Sequence, residues 1–429
     1  MNNKYYGIIG TIVMGIVLVV LSIILFIYKG QFYMASINFI ILLFFLAFIV
    51  DLYDMCFRKN KDDKIIRRCI FHIGTCFFFY LVPNLFYGIA PVMFSIYLCL
   101  IGSSEFIMCY VMIRNGEFIR IHNVLIGFVC FFVALPIFIN PVMRLDRFVI
   151  CIGIYLFLLG VYYIYDFIRY ILPIRYKNKI KRRIRITLPK ILEAIIPYSV
   201  MQEINRNLEV KDISSYKVIN NEGKKDLSIL IHTSNRGVNR MGHMDIYFDG
   251  KVISYGNYDE GSRFGKEFFG DGVLFIVNDF SNYINFCIDN SKKTIFEFGI
   301  SLTDIEKELV RKKINALMNN TVSWDYREDK KYNNGDSYLG KLFRSNVGST
   351  YKFKRGKYKT YFVMGRNCSH LIDEIVGSSG MDILSINGII TPGTYYDYLY
   401  KELRGKNSNV ISMSIYNERY KAYKDMKKK

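Results

Sequence analysis

The chain has 429 residues, of which 52% are hydrophobic, 16% aromatic and 22% charged, and it carries a formal net charge of +20 at pH 7. This composition excludes an intrinsically disordered chain and is unusual for a soluble globular one. The basic excess is the balance expected of a partner of phosphate or of an anionic membrane surface.

The apolar excess is concentrated at the front: residues 1–175 hold 14 Lys/Arg and 8 Asp/Glu, against 43 and 29 in the rest of the chain. A span across about 30 Å of hydrocarbon needs roughly 20 apolar residues. Residues 7–28 qualify without a charge, and they are too long and lack the cleavage site of a signal peptide. Further spans are expected near 33–53, 69–88, 91–113, 123–140 and 148–171, about six helices in an all-α transmembrane bundle. Pro83, Pro91 and a turn at Tyr87–Gly88 are expected to separate the third from the fourth.

Basic residues crowd the 58–68 loop (six) and the 169–185 segment (eight), while the alternate turns are poor in them. The positive-inside rule then puts both termini and the C-terminal half in the cytoplasm of an integral multi-pass protein of the cell membrane. Seven of the nine cysteines lie in or beside the spans with no paired pattern, so free thiols are expected. Asp166 is expected to pair with Arg169. Glu105, deeper in a span, predicts an interhelical hydrogen bond rather than a transport path, because it has no basic partner.

Residues 175–188 (RYKNKIKRRIRITL) and the short apolar run 189–196 predict a basic connector lying on anionic lipid headgroups. A solvated charge run before a linker helix is the plainer alternative.

From Leu227 the apolar period changes to two. Strands are expected at 227–234, in a hairpin over 243–256 with an Asp249–Gly250 turn, and at 273–278, 294–300 and 359–364. A helix fits 301–318, capped by Ser301 or Thr303, and another starts at Asn367–Cys368. This is an α+β pattern around an antiparallel sheet.

In NCSHLIDEIVG, Cys368, Leu371, Ile372 and Ile375 recur at i, i+3, i+4 and i+7, so Cys368 opens a helix and faces the core. Backbone N–H groups there stabilise a thiolate and can receive an oxyanion. His370 projects from another side of that helix, and the base must come from elsewhere. His243 is the best candidate: His243, Asp245 and Tyr247 share one strand face, and Met244, Ile246 and Phe248 the other. The third group stays open. A two-residue turn puts Ser254 on the face of His243, whereas a bulged turn puts Tyr255 and Asn257 there. His232 is expected to be buried against the sheet, and Cys287 to be core.

GHMDIYFDGKVISYG followed about 110 residues later by NCSHLIDEI resembles the circularly permuted branch of the NlpC-like cysteine peptidase superfamily. That branch includes the lecithin–retinol acyltransferase-like proteins. Its members carry the strand histidine first and the helix-start cysteine later. The resemblance implies a papain-like core with Cys368 as nucleophile and His243 as base. The acyltransferase branch has a second histidine twelve residues after the first, where this chain has Tyr255, which becomes the third catalytic candidate. Coverage is about residues 227–403, with 257–358 matching no motif.

The expected organisation is a transmembrane region over 1–175, a basic juxtamembrane connector over 176–226, a permuted papain-like domain over 227–405 and a basic tail over 406–429. The expected activity is cleavage of an amide or ester through an acyl-enzyme, on a peptide, lipid or lipidated-protein substrate. No cofactor or metal is expected: Cys-x-x-Cys, His-Glu-x-x-His and Walker-type patterns are absent from the sequence. Nucleic acid is not expected as a partner, because lipid headgroups account for the charge more simply. The rival reading is an inactive membrane receptor or interaction protein that keeps a papain-like binding domain.

Overall fold

In the computed structural model, the described residues are 2–57, 63–171, 219–220, 223–233, 242–265, 268–325, 327, 337–363, 365–378, 391–404 and 408–417. The chain divides into two compact units: Met1–Cys109 with Arg120–Phe167, and Tyr110–Ile119 with Ile168–Lys429. The expected lipid-facing connector, residues 58–62 of the basic loop and the tail after 417 lie outside the described residues, as do the side chains of the expected Asp166–Arg169 pair.

The first unit is helical: α1 (Asn2–Phe57), α2 (Asp63–Leu81), α3 (Pro83–Arg114), α4 (Ile121–Ile139) and α5 (Leu145–Ile171). Four stretches in the described residues are long and apolar enough to cross a membrane: Ile12–Tyr53, Tyr87–Arg114, Ile121–Ile139 and Leu145–Tyr165. The first contains both of the first two expected spans. It is broken between them at Lys29, whose φ of 46° leaves the helical region. The Gly30 N–H there donates to Asp146 Oδ1 at 2.9 Å.

The third expected span, 69–88, is not among the four. The chain breaks at Val82, and Pro83 opens α3, which then runs through Gly88 and Pro91 without the expected hairpin. That leaves α2 with too short an apolar run after Arg67, Arg68 and His72. Arg68 and His72 instead face the buried Asp51 of α1 at 3.4 and 3.2 Å. Glu105 makes the expected interhelical bond, accepting from Asn123 Nδ2 at 2.7 Å. Helices α1 and α5 cross at two glycines: a Cβ on Gly160 would lie 2.8 Å from the Gly15 carbonyl oxygen.

The second unit is built on a nine-stranded antiparallel sheet. Its strands in chain order are β1 (Ile219–Asn220), β2 (Leu227–Thr233), β3 (His243–Phe248), β4 (Lys251–Gly256), β6 (Val273–Val277), β7 (Thr294–Ile300), β8 (Thr321–Ser323), β9 (Gly348–Phe353) and β11 (Val410–Tyr416). They lie side by side in the order β1-β11-β7-β2-β3-β4-β6-β9-β8. A separate pair joins β5 (Phe269–Asp271) to β10 (Thr360–Phe362), so the strand expected at 359–364 is shorter and stands outside the main sheet. Among the described residues, five α-helices of this unit pack around the sheet: α6 (Phe280–Asp289), α7 (Asp304–Asn319), α8 (Tyr338–Ser345), α9 (Cys368–Gly377) and α10 (Pro392–Leu403).

Alternation of side chains gives the sheet two apolar faces. Ile229, Ile231, Met244, Ile246, Tyr255 and Phe296 pack with α7, α9 and α10. Leu230, Val252, Phe275 and Ile295 pack with α6 and α8. The cap of α7 is a reciprocal box between Thr303 and Glu306. The domain also exceeds its expected bounds of 227–405. Strand β1 pairs before residue 227, and β11 runs between β1 and β7 within what the sequence assigned to the tail. VISMSIY is a β-branched, alternating strand, and its basic, polar neighbours on both sides disguised it.

Candidate active site

Two backbone features place the central pair. Gly242 has φ +84°, and a Cβ there would fall 2.9 Å from Pro392 Cβ and 3.0 Å from the His232 carbonyl, so only glycine can precede His243. Cys368 is the first residue of α9, with Asn367 as its N-cap: Asn367 Oδ1 accepts the His370 N–H at 3.1 Å, and Nδ2 donates to the Val363 carbonyl at 2.9 Å. Leu371, Ile372 and Ile375 anchor that helix in the core, as the stripe predicted.

The His243 ring and the Met244 backbone N–H are close enough to the Cys368 sulfur to act on its charge, and Ser369 Oγ stands 4.0 Å from it. The helix packs on the Met244 face of β3, not on the face His243 shares with Asp245. The pair meets nonetheless, because each residue opens its element. Nε2 of His243 is committed elsewhere, at 2.8 Å from Asp245 Oδ1, 3.0 Å from Ser254 Oγ and 2.9 Å from the Tyr258 hydroxyl. Nδ1 makes none of these contacts. Asp245 is fully buried, and its other oxygen accepts from the Tyr283 hydroxyl at 2.5 Å and stands 2.7 Å from His232 Nε2.

This surrounding decides the charges. Burial alone would lower the His243 pKa, but Asp245 and the Cys368 sulfur outweigh it and raise it to about 10. Burial alone would raise the Cys368 pKa, but the His243 cation and the Met244 N–H prevail and lower it. Asp245 is held well below the carboxylate range, against its burial, by the two imidazoles. His232 is pushed down by burial to about 4 and is neutral. These surroundings favour a thiolate–imidazolium pair backed by a carboxylate over an isolated neutral thiol.

The structure brings Cys368 and His243 together and supplies a third group the sequence reading did not single out, Asp245. Its signal was present: an acid two residues past the histidine, on the same face of an otherwise apolar strand. The hairpin turn is the two-residue form, with Asp249 and Gly250 both at positive φ, so Ser254 pairs opposite Asp245. Tyr255, the third catalytic candidate, is corrected by this register. It points to the other face, where its hydroxyl donates to the Tyr358 carbonyl at 3.0 Å. Asn257 also leaves the imidazole, donating to the Phe269 carbonyl at 3.1 Å.

Tyr258 and Tyr283 belong to the cluster and carried no sequence signal. Tyr361 also lies near Cys368, and burial together with the sulfur's charge holds its hydroxyl well above the ordinary phenol value. His232 is buried as expected, and His370 turns its Nδ1 to Asn367 Oδ1 at 3.2 Å. His232, Asp245 and His243 are bonded among themselves, and no group of ligands suited to a metal occurs among the described residues. No family model, curated protein or solved structure matches the chain.

Proposed function

We propose that this chain is a membrane-anchored thiol hydrolase or acyltransferase acting through an acyl-enzyme. The observation that carries the reading is the commitment of His243 Nε2 to a buried, ionised Asp245, with Nδ1 outside those contacts and the Cys368 sulfur near the ring. The thiolate attacks the carbonyl carbon of an amide or ester, and the backbone N–H groups of Cys368 and Ser369 at the start of α9 receive the oxyanion. As the tetrahedral adduct collapses, the His243 imidazolium gives its Nδ1 proton to the departing amine or alcohol, leaving a thioester on Cys368. His243, now neutral, takes a proton from water or from an acceptor, which attacks the thioester, releases the acyl group and restores the ion pair.

A permuted papain-like core is the framework this chemistry implies, and strand histidine before helix-start cysteine supports it. The rival reading, an inactive receptor or interaction protein, expects no enhanced reactivity at Cys368. A peptide-type amide is the first substrate class, with lipid or lipidated protein second. The eight basic residues of 169–185, directly after the last apolar stretch, support a cytoplasmic domain at the cell membrane.

One labelling experiment on intact cells tests both chemistry and placement. A membrane-permeant iodoacetamide probe should modify Cys368 at neutral pH well ahead of Cys287, and Cys368→Ala should abolish that band. An impermeant analogue applied outside should leave Cys368 untouched. Equal labelling of the two cysteines sinks the enzyme, and modification by the impermeant probe reverses the orientation.

A further inference from the structure

The segment 110–119, which joins α3 to α4, belongs to the compact unit of the sheet domain. Its contacts there converge on the turn that leads into Cys368. Glu117 grips the Arg366 guanidinium with both carboxylate oxygens, Oε2 at 2.8 Å from Nη2 and Oε1 on Nη1, across 249 residues of sequence. Arg366 is only 3% exposed, and its Nη1 also donates to the Lys357 carbonyl at 3.0 Å. Asn115, equally buried, accepts from the Thr360 hydroxyl at 2.7 Å, and its carbonyl accepts the Gly356 N–H at 3.3 Å. Arg114 lies over the Phe264 ring, 5.1 Å from its centroid.

Arg366 stands two residues before the nucleophile. Its backbone closes a tight turn with Phe362 through reciprocal bonds of 2.8 and 3.1 Å, and the next residue is the cap that orients α9. A guanidinium this buried needs its carboxylate: without it an unpaired charge is left in the core, and the turn must move to solvate it. A bidentate fork also fixes direction, which a point charge does not.

We propose that Glu117 is a positioning residue for the nucleophile, acting through Arg366, so that a loop between two membrane spans completes the site in the sheet domain. The inference rests on the thiol chemistry proposed above.

Its test uses the full chain in detergent, with two readouts: the alkylation rate of Cys368 and the amide exchange of residues 365–371. In Glu117→Gln, alkylation should fall about 10- to 100-fold, and exchange at 365–371 should rise about tenfold or more while strands 227–233 and 294–300 stay protected. Arg366→Gln should do the same, and the double variant should be no worse than either single one. Glu117→Asp, which keeps the charge, should retain most of the wild-type rate.

Alkylation and exchange both unchanged in Glu117→Gln would overturn the proposal and leave the thiol chemistry standing. Exchange rising throughout the sheet in both Glu117 variants would also overturn it, in favour of a general folding role. If wild-type Cys368 alkylates no faster than Cys287 while exchange still responds at 365–371, the chemistry fails and the positioning contact survives.

Discussion

Cys287 and Cys368 stand on helices packed against opposite faces of one sheet, each almost fully buried, and only one is set up to ionise. Cys287, in the last turn of α6, shows what burial does alone: its thiol is pushed up to about 11, and Lys293 nearby does not reverse this. Cys368 suffers the same burial at the first residue of α9, yet its pKa falls, because a cation and a backbone N–H stand against the sulfur. Burial keeps a thiol protonated unless a desolvated cation shares the site, and the cation itself must be held by an anion. Asp245 supplies that anion.

The comparison is broken most completely by removing the cation. In His243→Gln, Cys368 should behave as Cys287 does, with its alkylation at pH 7 falling by about 10²–10³ and the midpoint of its pH–rate curve moving above the ordinary thiol value. A midpoint that stays put would detach the two residues. Asp245→Asn comes next. It keeps the shape but loses the charge that fixes the tautomer, and should slow alkylation on the order of 100-fold.

The paired histidines sharpen the contrast further, because their shifts have opposite signs. His243 is raised, so its contribution to stability is present below about pH 6.5 and is lost as pH rises through 10. His232 is lowered, so its contribution is present above about pH 6.5 and is lost as pH falls toward 4. Acidifying from pH 7 to 5 should therefore cost about 2 kcal/mol through His232, offset by about 1 kcal/mol as the His243 contribution reaches its full size, a net loss of about 1 kcal/mol. Unfolding midpoints at the two pH values should show that loss, and His232→Gln should reverse it. The smallest effect is expected at Tyr255→Phe: alkylation close to wild type and a stability loss of about 1 kcal/mol for one buried hydrogen bond. A large rate effect there would restore Tyr255 to the machinery.

Legibility in the sequence followed locality. The helix from Cys368, the Asp249–Gly250 hairpin and the capping at Thr303 were readable because period, turn chemistry and caps are written within a few residues. The pairing of Cys368 with His243 was readable only through residue order, since the helix packs on the strand face opposite the one expected. Asp245 was overlooked because its role depends on Nε2 being occupied, which the rotamer of His243 decides. Tyr283 and Glu117 reach the site through tertiary placement alone, and nothing around them in the chain marks it. In the first unit, length and hydropathy located most of the apolar stretches, but the break at Val82 rather than at Gly88 turned on a proline serving as a helix start instead of a stop.

Strand β11 has a consequence for how the protein is made. It fills the slot between β1 and β7, and it is synthesised after every other strand of that sheet. Until it arrives, β7 is an open edge with a row of unsatisfied amides and carbonyls, the kind of template that recruits stray strands. A stop codon before residue 410 would leave that edge permanently uncovered, with every proposed reactive group present.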